Sequence, residues 1–259
     1  MCTRGQKRLE NYKRKRLGEV NKMNCGATAI IIEYNKAKDI KVKILETNEI
    51  INTTYGTFIT GKIKSKFYPT VCGVGYLGNS EIDKESYNCW QRMVCRCYSE
   101  EFKNNNTTYK DCKVCDEWLC YANFKEWYDI NYYEIDSENI HLDKDILIKG
   151  NKIYSPNTCI FAPENINKIV ELRGNDRGEL PIGVYKCKKN TKHPYQSFIK
   201  YKDNKTHTFL GSFKTVEEAF LVYKEAKEKE IKRIADEYKD KIPQKLYKAL
   251  YNWEISIND

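Results

Sequence analysis

The side chains best suited to chemistry lie in HLDKDILIKGNKIYSPNTCIFAPENIN, residues 141–167. In an extended strand, HLDKDI points His141, Asp143 and Asp145 to one side and Leu142, Lys144 and Ile146 to the other. Three potential ligands on one side invite a divalent cation. Carboxylate and amide oxygens are hard donors that suit Mg²⁺ or Mn²⁺. A helix opened by Pro163 can return Asn165 or Asn167 toward the same side. A surface hairpin with solvated charges accounts for these residues equally well.

The cysteines offer a second chemistry. There are 11 in the chain. The N-terminus is basic with no apolar core behind it, so it does not read as a secretory signal, and the thiols read as reduced. Cys112 and Cys115 form the one C-x-x-C pair, and Cys95, Cys97, Cys120 and Cys159 are the further candidates for a tetrahedral zinc site. No second C-x-x-C exists, and Cys95 and Cys97 fall on a helical stripe. Structural zinc is therefore not expected, and these thiols read as small buried hydrophobes.

Charge separates the chain into regions. The 259 residues suit two or three modules, and the formal net charge is +9. Residues 1–22 hold eight Lys/Arg against two Glu, and residues 183–214 hold eight Lys against one Asp. Residues 101–170 hold eight Lys against twelve Asp/Glu. Basic regions grip phosphates, whereas an acidic patch in a DNA-binding protein is costly unless a cation occupies it. No apolar run approaches the ~20 residues that span a bilayer, so no membrane partner is expected.

The elements that would position these groups follow from periodicity. Residues 1–22 read as a basic arm, disordered or a frayed helix. TAIIIEY, IKVKILE, EIINTTYG and TFITGKIK predict short strands over 27–64, a small antiparallel sheet or barrel of the Src-homology type. Residues 68–80 are glycine-rich and read as a linker. Trp90, Met93, Val94 and Cys97 predict a helix over 85–99. A strand ending near Val114, a helix carrying Phe124, Trp127 and Tyr128, and strands over 136–147 and 158–162 follow. Three strands are expected over 183–213, with Asp203-Asn204-Lys205 as the second turn. A long helix then opens on a Thr215/Glu218 capping box, and Pro243 starts a last short one.

The order LDKDIL…GNKIYSPNTCIFAPENIN resembles the ββα-metal (His-Me finger) core of phage HNH-type endonucleases. CWQRMVCRCYS and YKDCKVCDEWLCYANFKEW resemble that family's upstream helix and strand-helix segment, so the likeness covers residues 85–170. The resemblance implies that Asp143 and Asn167 hold one Mg²⁺ or Mn²⁺ on the scissile phosphate. It implies that Asn157 braces the loop between the strands. Lys144 stands where the family's water-activating histidine stands. A protonated lysine is no base, but its charge can stabilise the transition state. His141 and Tyr154 are the nearby candidates for the base.

GVYKCKKN…YQSFIKYKDNKTHTFLGSFKTVEEAFLVYKEAKEK resembles the Apetala/ethylene-response-factor (AP2/ERF) DNA-binding domain. Such a sheet enters the major groove. Alternation offers Lys186, Lys188, Tyr195, Lys200, Lys202 and His207 as contacts, with Lys189, Lys192 and Lys205 beside them. Lysines replace the family's groove-reading arginines, and they lack the bidentate fork. Gly211 and Phe213 read as structural.

The sequence thus predicts an α+β chain of four parts. These are a basic arm over 1–22, a small β module and linker over 23–80, an HNH-type core over 81–176, and an AP2/ERF-like module over 177–259. The expected function is hydrolysis of double-stranded DNA by a phage homing-type or free-standing endonuclease in the cytoplasm of a bacterial host. The alternative is a DNA-binding regulatory phage protein on a catalytically degenerate core, of the kind that counters a host defence.

Overall fold

The structure, a computed structural model, describes residues 4–171, 180–189, 192–202 and 206–259. It is a mixed α+β chain with several small sheets. Two compact units divide it, Met1–Ile130 and Asn131–Asp259. The division falls inside the 81–176 segment that the sequence suggests as one module.

In the first unit, α1 (Arg4–Arg16) leads into β1 (Val20–Lys22), so the end of the expected basic arm is a strand. β2 (Thr28–Lys36), β3 (Asp39–Ile44) and β4 (Ile50–Thr53) complete an antiparallel sheet of order β1-β2-β3-β4. Strict alternation drives β3: Ile40, Val42 and Ile44 are buried, and Asp39, Lys41 and Lys43 are not. The expected strand over TFITGKIK is instead helical at its start, as α2 (Tyr55–Ile59). Thr54 explains the difference. Its hydroxyl takes the Thr57 N–H at 3.1 Å, an N-cap that overrides local β propensity and turns Phe58 into the core.

Further along this unit, α3 (Lys84–Tyr98) buries Trp90, Met93, Val94 and Cys97 on the predicted stripe. α4 (Glu100–Asn105), the short β5 (Lys113–Val114) and α5 (Tyr121–Asn131) follow. Trp90 Nε1 donates to the Trp118 carbonyl at 2.7 Å, and Ser86 Oγ lies 2.8 Å from the Tyr121 hydroxyl. The polar atoms of these buried aromatics thereby keep partners. The glycine-rich 68–80 segment is stitched to the start of α5, since Tyr76 N–H donates to Leu119 O and Tyr121 N–H to Tyr76 O.

In the second unit, β6 (Ile140–Asp143) pairs antiparallel with β8 (Ile160–Pro163), and the short β7 (Ile153–Tyr154) lies between them in sequence. α6 (Glu164–Val170) follows with Pro163 as its N-cap. β9 (Val184–Lys186), β10 (Tyr195–Ile199) and β11 (Thr208–Phe213) form a three-stranded antiparallel sheet of order β11-β10-β9. α7 (Val216–Glu237) carries the predicted capping box of Thr215 and Glu218, and α8 (Gln244–Tyr251) follows Pro243. Gly183, at φ +77°, lies under the Tyr223 ring of α7, where a Cβ would sit 2.1 Å from ring carbon. One core joins Ile160, Ala162 and Ile166 to Ile199, Phe220 and Ile234. Among the described residues no helix is long and apolar enough to cross a membrane.

Candidate functional site

Antiparallel pairing fixes which side chains share a face. His141 lies opposite Ala162, and Asp143 opposite Ile160. Ile160 and Ala162 pack with Ile166, Ile169 and Val170 of α6. His141 and Asp143 are therefore on the face that α6 covers, and Leu142 and Phe161 are on the other.

Asp143 closes its own strand. Its Oδ1 accepts the backbone N–H groups of Asp145 at 2.7 Å and Ile146 at 2.8 Å. This local turn competes with the ladder and ends it. The expected strand over 136–147 is thus only Ile140–Asp143, and Asp145 is not a third ligand on that face. Instead Asp145 takes Lys144 Nζ at 2.6 and 2.7 Å. Lys144 is buried at 7% exposure, with its Nζ 5.9 Å from the Tyr154 ring centre. Burial pushes the Asp143 carboxyl above the ordinary aspartate range, while the Ile146 and Asp145 N–H groups and Lys144 pull it back.

The two asparagines of α6 have different surroundings. Asn165 Nδ2 is spent on Glu138, at 3.2 and 3.3 Å, and Glu138 also accepts from the Tyr238 hydroxyl. Asn167 Oδ1, by contrast, is buried without a hydrogen-bond partner. A buried acceptor without a donor is unfavourable by about 1–3 kcal/mol, which a bound cation would remove. An amide oxygen and a carboxylate such as that of Asp143 are hard donors of the kind that suits Mg²⁺ or Mn²⁺. Among the described residues no three His, Cys, Asp or Glu side chains gather as a metal site. Cys112 is buried with its Sγ 3.8 Å from the Thr108 carbonyl, Cys97 is in the α3 core, and Cys95 Sγ lies 3.1 Å from Cys72 Sγ.

The loop between β6 and β8 is braced by a residue the sequence reading passed over. Asn151 Nδ2 donates to the carbonyls of Lys144 at 2.9 Å and Ile153 at 2.7 Å, and its Oδ1 accepts from Ile153 N–H. Ser155 Oγ and Thr158 Oγ1, 2.8 Å apart, tie the far end. Asn157, expected in that role, is exposed, and its backbone carbonyl accepts from Lys245 Nζ at 3.5 Å. The signal for Asn151 was the Gly150-Asn151 turn itself. Tyr154 is buried at 2% exposure, and His141 is exposed.

The second candidate surface is the β9–β11 sheet. Val184, Ser197 and Ile199 face α7 and are buried. Tyr185, Gln196 and Phe198 therefore face away. Alternation misassigned part of this sheet, because Tyr195 and its cross-strand partner Lys186 share the α7 side. Lys202 also turns to α7: Nζ pairs with Glu237 at 3.1 Å and lies 5.1 Å from the Tyr238 ring centre. Its backbone N–H donates to buried Glu230, whose carboxyl is held below the ordinary range first by hydrogen bonds from Arg233. Lys186, Lys188, Lys189, Lys192, Lys200 and His207 are exposed. Lys205 and the expected turn at 203–205 lie outside the described residues. Gly211, at φ +152°, sits where a Cβ would meet the Phe213 ring at 2.8 Å, which fits the structural role read for both residues. Compared with protein-family models, curated proteins and solved structures, the chain has no match.

Proposed function

We propose that residues 140–170 are the catalytic finger of a metal-dependent DNA endonuclease of the HNH kind, and that residues 183–238 supply an AP2/ERF-like grip on duplex DNA. The observation that carries this reading is the buried, partnerless Oδ1 of Asn167, on the helix covering the face of β6 that bears Asp143. Asp143 and Asn167 would hold the ion. When bound, one Mg²⁺ or Mn²⁺ supplies a Lewis acid for the phosphoryl oxygen and charge for the leaving oxygen.

The chain's own groups divide the remaining work. The two backbone N–H bonds to Asp143 Oδ1 lock the carboxylate's rotation, so its other oxygen is presented without further ordering. Lys144, bonded to Asp145, has donors only and takes no proton from water. It serves as a fixed cation beside the reacting phosphate. His141 shares the Asp143 face and is exposed, and a neutral imidazole nitrogen has a lone pair that can take a proton from water, so His141 is assigned as the base. The exposed lysines of the C-terminal module hold DNA phosphates.

The Lys144–Asp145 ion pair favours a second reading, a DNA-binding regulatory phage protein on a finger that lacks the family's histidine. Plasmid cleavage with Mg²⁺ or Mn²⁺, against a chelator control, separates the two. Wild type should cut, and Asp143→Ala and His141→Ala should not. Binding of DNA by all three proteins with no cleavage by any of them would establish the second reading.

A further inference from the structure

The outward face of the β9–β11 sheet carries a row of aromatic rings. Tyr185 on β9 and Phe198 on β10 have ring centres 5.5 Å apart at 83°, and Phe198 and Phe209 on β11 are 5.3 Å apart at 54°. Tyr185 is 52% exposed and Phe209 53%. A bulge builds this row. The register shifts between Ser197 and Phe198, so Ser197 pairs with Gly211 but Phe198 pairs with Phe209. The extra residue, Leu210, packs against the core. Strict alternation from inward Gly211 would have buried Phe209; the bulge turns it out beside Phe198. The polar residues of the same face are Gln196 and its partner Ser212.

We propose that this face is a stacking platform for the unpaired bases of single-stranded nucleic acid. Rings on three adjacent strands, exposed at Tyr185 and Phe209 and half-buried at Phe198 between them, offer flat surfaces to bases, as sheet-borne aromatics do in single-strand recognition. In a duplex those base faces are already stacked, and its edges are read by hydrogen-bonding groups, which this face largely lacks. The charge of the module selects the partner: residues 183–214 carry eight Lys against one Asp, and Lys188, Lys189, Lys192 and Lys200 are exposed. Such a surplus suits a phosphate backbone better than a protein surface. The platform rests on the phosphate-gripping role assigned above to this module and adds single strands to the duplex that the lysines are proposed to hold.

Anisotropy titrations of the full chain in chelator, where no cutting occurs, test it with labelled oligothymidylate and a mixed-sequence duplex. Tyr185→Ala and Phe209→Ala should each weaken single-strand binding about tenfold. Tyr185→Phe and Phe209→Tyr keep a ring and should retain wild-type affinity, and duplex affinity should change less than about twofold in all four, since phosphate contacts carry it. Alanine variants that bind the single strand like wild type would overturn the platform, as would equal losses on both ligands. Duplex binding without single-strand binding would leave the grip standing and remove the platform. Failure to bind either would remove both, and self-association lost in the same alanine variants would reassign the face to a protein contact.

Discussion

In the 140–170 segment the Asn167 amide oxygen is buried without a partner, whereas in the 183–213 segment, which has a similarly partnerless hydroxyl at Ser197, aromatic rings also stay in water, at Tyr185 and Phe209. Both arrangements are unfavourable in isolation, and they are unfavourable in opposite ways. The first is a polar atom short of a positive group, which suits a small cation. The second is apolar surface short of a flat neighbour, which suits a base. On the proposed reading, one unit of the chain presents two chemistries: the buried oxygen would take an ion, and the exposed rings would take a larger partner.

The sharpest break in that comparison is Asn167→Leu. Cleavage should fall at least a hundredfold, as the ion loses a ligand. Thermal unfolding without metal should instead show a gain of about 1 kcal/mol, because an orphaned acceptor is gone. Loss of stability would mean the oxygen is satisfied. Gly183→Ala attacks the other region. At φ +77° and against the Tyr223 ring, the new methyl should lower stability by about 2–4 kcal/mol in denaturant titrations.

Glu230→Gln probes how the chain after β10 is held to α7, where Glu230 accepts the Lys202 N–H at 3.2 Å and is paired within the helix with Arg233 at 2.7 Å. Bonds to a charged group of this kind contribute about 2 kcal/mol. A carboxyl held low in the folded state adds stability above its unfolded pKa and loses it as pH falls through the folded value. The wild-type advantage should therefore be full at pH 7 and vanish in acid. A gap that persists in acid would show that packing, and not charge, sets it. Asn151→Ala should have the smallest effect, about 1 kcal/mol, since the loop keeps its Ser155–Thr158 tie. A modest loss of cleavage at unchanged DNA affinity would mark Asn151 as a positioning residue.

The sequence carried the elements whose signals are local. Periodicity placed α3 and α7, a four-residue motif placed the Thr215/Glu218 cap, and alternation placed β3. The proposal of Asp143 and Asn167 as an ion-holding pair came from the family resemblance, since the residues alone left Asn165 and Asn167 as alternatives. The sequence misjudged the extent of β6, since Asp143 ends the strand by capturing two N–H groups from the residues that follow, and alternation carries no trace of a side chain competing with the ladder.

Tertiary structure decided what depends on partners distant in sequence. Asn165 and Asn167 are the same residue type two positions apart, yet Glu138 and Tyr238 accept from the Asn165 amide nitrogen while the Asn167 amide oxygen is buried without a partner. The parity of the C-terminal sheet was equally hidden. A single extra residue at Leu210 sends Phe209 to the outside, and a period of two cannot reveal where an extra residue falls. Local sequence thus set which helices and strands form, because caps and periodicity act within a few residues. Which groups those elements leave unsatisfied was settled only when β6, β8 and α6, and then β9, β10 and β11, came together.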